Sequence, residues 1–98
     1  MTRSRPVMPA RVRLNPRCLL TELGDGTGVV LDLDTKFYFT LNPTGLAVWK
    51  ALGTAPDGSS PRALAEKLAS EFAVETADAE TDVQELLRTL LVEGLVKE

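Results

Sequence analysis

At Asn42-Pro43 the apolar pattern of this chain changes period, and that change splits any fold it can adopt into an extended half and a helical half. Before that point the apolar residues fall in short runs. Cys18 to Leu23, Val29 to Leu33 and Phe37 to Leu41 are each about the length of one strand, and the last is aromatic and β-branched in character. The segments between them are turn formers. Gly24-Asp25-Gly26-Thr27-Gly28 supplies residues able to take positive φ, and Asp34-Thr35-Lys36 makes a second tight connection. The expectation is a three-stranded antiparallel meander. In that order the first and third strands are edges, so one side of Phe37 to Leu41 should carry main-chain N–H and C=O groups without partners.

After the corner the spacing becomes helical. Asn42 can accept a hydrogen bond from the free amides of a helix start, and Pro43 suits the first turn. Leu46, Trp49 and Leu52 then recur every three residues, and Gly53 with Pro56-Asp57-Gly58 ends the helix. Ser60-Pro61 restarts by the same device, and Leu64, Leu68 and Phe72, beside Ala65 and Ala69, mark a core-facing stripe. Thr76 is the expected cap of a third helix, with Asp78, Glu80 and Asp82 near its positive end. There Val83, Leu86, Leu87, Leu90 and Leu91 follow the i, i+3, i+4 rule, and Gly94-Leu95 reads as a glycine stop with an apolar contact behind it.

The residue inventory removes whole classes of chemistry. The chain has 98 residues, room for one domain with one core, and no histidine. Histidine-based triads, histidine metal ligands and the usual proton shuttle are therefore excluded. Gly24, Gly26 and Gly28 lie between strands instead of opening a helix, so they do not read as a phosphate cradle. Cys18 stands alone and cannot form an internal disulfide, which suits a reducing cytoplasm. Asp32 and Asp34 flank a turn, and Asp78, Asp82 and Glu85 share a helix face whose ordinary role is solvation. No enzyme activity, cofactor or metal is expected, and neither an apolar run of membrane-spanning length nor a signal-peptide stretch is present.

Charge is distributed unevenly. Residues 1–17 hold five arginines and no acid, a balance of +5; residues 18–98 hold six basic and fourteen acidic residues, a balance of −8. The first segment reads as a flexible basic N-terminal arm and residues 18–98 as the folded domain. An acidic body repels a phosphate backbone. That weighs against the alternative of a winged-helix DNA-binding regulator, in which the third helix, with Asp78, Glu80, Asp82 and Glu85, would have to enter a groove.

Taken together, Leu31-Asp32-Leu33, Tyr38-Phe39-Thr40-Leu41-Asn42-Pro43-Thr44, Trp49, Leu52, Leu64-Ala65, Leu68, Phe72, Val74, Asp82-Val83, Leu86-Leu87, Leu90 and Gly94-Leu95 resemble the pattern of the PqqD-like peptide chaperones. The resemblance spans about residues 18 to 96. It implies an α+β, winged-helix-like fold, a three-stranded antiparallel meander followed by three α-helices. It also implies a non-catalytic function, the binding of the leader of a ribosomally synthesised precursor peptide. The leader would add to strand three by β-augmentation, beside helix three. The implied partners are that peptide and a modifying enzyme, such as a radical SAM enzyme or a leader peptidase, with no nucleic acid and no membrane. The chain is expected to act as a cytoplasmic monomer, pairing of open edges into a dimer being the alternative.

The site so implied comprises Phe37, Tyr38, Phe39, Thr40 and Leu41 on the strand and Val83, Leu86, Leu87 and Leu90 on the helix. Spacing alone assigns several of these a packing role. Phe39 and Leu41 fall on one side of the strand and read as core, as do Trp49 and most of the helix-three leucines. Phe37 is the aromatic that a bend at the strand's start would expose.

Overall fold

The structure is a computed structural model that describes residues 9–98. Its elements run β1 (Arg13–Leu14), β2 (Cys18–Glu22), β3 (Gly28–Asp32), β4 (Tyr38–Leu41), α1 (Pro43–Gly53), α2 (Pro61–Phe72), α3 (Thr76–Val92) and β5 (Val96–Lys97). The three strands expected from the sequence are β2, β3 and β4, joined as an antiparallel sheet in that order. Strand three is shorter than expected, beginning at Tyr38, with Phe37 closing the turn before it.

The β3–β4 turn is organised by Asp32, which is 4% exposed and the one buried charged side chain among the described residues. Its carboxylate accepts from the N–H groups of Asp34 at 2.8 Å and Thr35 at 3.2 Å, so its burial leaves it partnered. Lys36 takes a left-handed conformation, φ +66°, to complete the reversal. The helix starts follow the sequence closely. Asn42 accepts from Gly45 N–H ahead of α1, and Ser60 accepts from Ala63 N–H ahead of α2, each followed by proline at the first helical position. Helix α3 differs: its N-cap is Glu75 with no side-chain cap bond, and Thr76 is already helical. Its end is as expected. Gly94 sits at φ +76°, its N–H donates to Leu91 O at 3.1 Å, and Leu95 N–H donates to Leu90 O at 2.9 Å.

One core joins these pieces. Val30 and Leu41 from the sheet meet Trp49 and Leu52 of α1, Leu64 and Leu68 of α2, and Val83, Leu87 and Leu90 of α3. Burying each large apolar side chain contributes about 1.5–3 kcal/mol. Phe72, expected in this core, is 38% exposed instead, because α2 ends there and Ala73 turns left-handed at φ +54°.

The basic segment is also part of the body from Val12 onward, which corrects the boundary expected at residue 18. Val12 is fully buried and exchanges main-chain hydrogen bonds with Ser59 at 2.9 and 2.8 Å. β1 pairs antiparallel with β5, and Asn15 N–H donates to Leu95 O. Of the supposed arm, residues 1–8 lie outside the described residues.

Candidate functional site

The sheet order leaves β4 at an edge. In an antiparallel pair, main-chain groups alternate between the partner strand and the opposite side. Asp32 N–H donates to Phe37 O at 2.9 Å, which fixes that pair as hydrogen-bonded. Two residues on, Phe39 faces Val30, and Leu41 faces Gly28. The N–H and C=O groups of Tyr38 and Thr40 therefore point to the open side. Side chains alternate too: Tyr38 and Thr40 are exposed on the outer face, Phe39 is half-buried, and Leu41 is core.

Beside this edge lie two recesses that abut. The first, about 320 Å³, is lined by Thr27, Phe39, Thr40, Leu41, Asn42 and Leu86, so it spans from β4 to α3. The second, about 350 Å³, continues between the start of α1 and α3, where Thr44, Val48, Asp82, Glu85, Leu86 and Thr89 are among its walls. Asn42 and Leu86 belong to both. Thr27 is held at the rim by Asp25, whose carboxylate accepts from both the N–H and the hydroxyl of Thr27. Those bonds hold the exposed Asp25 carboxyl below its ordinary range, the hydroxyl contact being the larger cause.

The nine residues expected at the site thus divide by accessibility. Tyr38, Phe39, Thr40 and Leu86 are accessible around the edge and the first recess, and Phe37 is 38% exposed at the turn leading into β4. Leu41 and Val83 contribute to recess walls but are 1% exposed, and Leu87 and Leu90 are fully buried. These four support the groove from beneath, because Leu41 on β4 and Val83, Leu87 and Leu90 on α3 all pack into the core shared with α1 and α2. Residues unanticipated by the sequence are the polar ones: Thr27, Asn42, Asp82, Glu85 and Thr89. Asp82, Glu85, Leu86 and Thr89 fall at i, i+3, i+4 and i+7, one continuous helix stripe. The pattern was visible, but its mixed polarity reads as solvated surface.

Among the described residues, no group of three or more His, Cys, Asp or Glu side chains could hold a metal, and no helix is long and apolar enough to cross a membrane. Cys18 lies on the far strand, β2. Its thiol is pushed up from the ordinary range by burial first, and then by the carboxylates of Asp32 and Asp34.

A three-stranded meander followed by three helices, with one strand edge open beside the last helix, defines a small α+β domain whose accessible groove joins sheet to helix. The chain belongs to the PqqD family: the model of that family, described as Coenzyme PQQ synthesis protein D (PqqD), matches residues 27–96. Two solved structures are similar over most of their lengths. A lasso peptide synthetase B1, complexed with the leader peptide, is 33% identical with a TM-score of 0.70, covering 89% of this chain and 98% of its own. TbiB1, in complex with the TbiA(beta) leader peptide, shares the fold with a TM-score of 0.75 at 24% identity, covering 87% of this chain and 94% of its own. No curated protein matches the chain.

Proposed function

We propose that this chain binds the leader segment of a ribosomally made precursor peptide as an extra strand on β4, and presents it to a separate modifying enzyme without catalysing a reaction itself. The observation that carries the reading is the unpaired β4 edge beside the Leu86 recess, in a family member whose 33% identical neighbour was solved with a leader peptide. A radical SAM enzyme or a leader peptidase would receive the bound peptide, in the cytoplasm, from a monomeric chain.

The energetics require both parts of the site. Ordering about five leader residues costs roughly 1–2 kcal/mol each in backbone entropy. Hydrogen bonds to Tyr38 and Thr40 return only about 1 kcal/mol apiece. Pairing alone therefore gives no net affinity. Two to four apolar leader side chains, each contributing about 1.5–3 kcal/mol on burial, bring the total to roughly −8 kcal/mol, a micromolar complex, after association costs. The recess lined by Phe39 and Leu86 is where such a side chain would be buried.

The test is an amide-shift NMR titration of the full chain with the leader half of the precursor encoded beside its gene. Saturable shifts centred on Tyr38, Thr40, Leu86 and Thr89 are expected. Shifts confined to β2 or to α2, or none at millimolar peptide, would end the proposal.

A further inference from the structure

The two abutting recesses differ in character, and the difference specifies what kind of side chain each takes. The first is walled mainly by Phe39, Leu41 and Leu86, whereas the second exposes the carboxylates of Asp82 and Glu85 on the same turn-to-turn stripe of α3. Building on the strand-edge reading above, we infer that the bound peptide carries a lysine or arginine directed to Asp82 and Glu85, next to the apolar residue that fills the Leu86 recess.

Three observations support a cation there. Among the described residues, neither Asp82 nor Glu85 takes part in an ion pair, although four such pairs form elsewhere on the surface. The only basic side chain on α3, Arg88, lines the neighbouring recess with Glu85 and Glu93. Three carboxylates (Asp82, Glu85, Glu93) against one guanidinium leave a local balance of −2. The opposing influence is the positive end of α1, where Thr44 and Gly45 line the same recess. A helix start is equivalent to about half a charge, and here the Gly45 N–H is already bonded to Asn42 Oδ1. The carboxylates dominate. The chain as a whole carries −3, from eleven basic and fourteen acidic residues, so the long-range field also favours a basic peptide.

Local and long-range contributions separate by experiment. A phage library of random 12-residue peptides is selected on the full chain, on Asp82→Asn/Glu85→Gln, and on Asp57→Asn/Glu98→Gln, which removes the same charge away from the groove. Lys and Arg should rise about threefold over their library frequency at one position beside an apolar residue, in the wild type and the distant-charge variant. In Asp82→Asn/Glu85→Gln that preference should vanish while the apolar preference persists. A selected peptide should bind that variant about 5- to 10-fold more weakly at low salt, and less than twofold more weakly at about 1 M salt. Pools without a cationic position, or with one that survives removal of both carboxylates, overturn the inference and leave strand addition standing. A pool that Thr40→Pro retains in full overturns strand addition and the inference with it.

Discussion

The two edges of the central sheet are both short, neither pairs with a further strand among the described residues, and they are unlike in their surroundings. On β2 the Arg17 and Leu23 pairings, Leu33 N–H to Arg17 O and Leu23 N–H to Thr27 O, imply that Cys18, Leu20 and Glu22 point their main-chain groups outward. The chain itself occupies part of that edge, since Cys18 N–H donates to Asn15 O at 3.0 Å. Glu22 is engaged with Lys50 at 3.3 Å. On β4 the outward groups of Tyr38 and Thr40 stand next to α3 and an apolar recess. An open edge offers hydrogen bonds of small net value, and the helix beside it supplies the burial that makes a peptide stay. On the proposed reading, function therefore rests on the strand edge and the helix beside it together.

The largest effect should come from proline placed on each edge in turn. Thr40→Pro removes an outward N–H and puts a ring where the guest strand would lie, and should weaken leader binding roughly 10- to 30-fold. Glu22→Pro makes the equivalent change on β2 and should leave affinity unchanged. Edge strands tolerate such a proline, so both variants should keep their circular dichroism spectrum. Calorimetric titration decides it: equal losses in the two variants would mean that the edges are equivalent, and no loss in Thr40→Pro would mean that neither is used.

A smaller effect separates the two sides of α3. Leu86→Ala removes the apolar wall of the recess beside β4, and should cost about 5- to 10-fold in leader affinity with a smaller fall in melting temperature than a fully buried leucine would give. Its neighbour Leu87 is fully buried, so Leu87→Ala should lower the melting temperature while the folded fraction binds as before. An unaltered affinity in Leu86→Ala would remove the recess from the argument.

The edge strand was legible because turn residues bracket it and Asn42-Pro43 ends it, leaving no following strand to cover its outer side. Helix limits were legible at Asn42, Ser60 and Gly94, whose side chains or φ angles act locally. The inward side of α3 was not. Leu86 and Leu87 belong to the same apolar stripe, and only packing against α1 and α2 turns one inward and the other to the groove. β1 and β5 were equally hidden, because two residues have no period to read. Val12 lies between Arg11 and Arg13, so its complete burial shows only once Gly58, at φ +95°, brings the α1–α2 loop against it; a Cβ there would meet Val12 O at 2.7 Å.

The smallest effect is expected at Cys18, which marks the β2 edge chemically. Because burial and the nearby Asp32 and Asp34 carboxylates raise its pKa, alkylation by iodoacetamide should have its pH midpoint above that of an unperturbed thiol, and should proceed slowly near neutrality. Removing one contributor, in Asp34→Asn, should move the midpoint down, since the thiolate then loses a repelling neighbour. If the leader occupies β4 alone, saturating peptide should alter the Cys18 alkylation rate by less than about twofold, because the thiolate fraction and its exposure are both unchanged. Strong protection would place the guest on the opposite edge, and the asymmetry argued from Leu86 would then have the wrong sign.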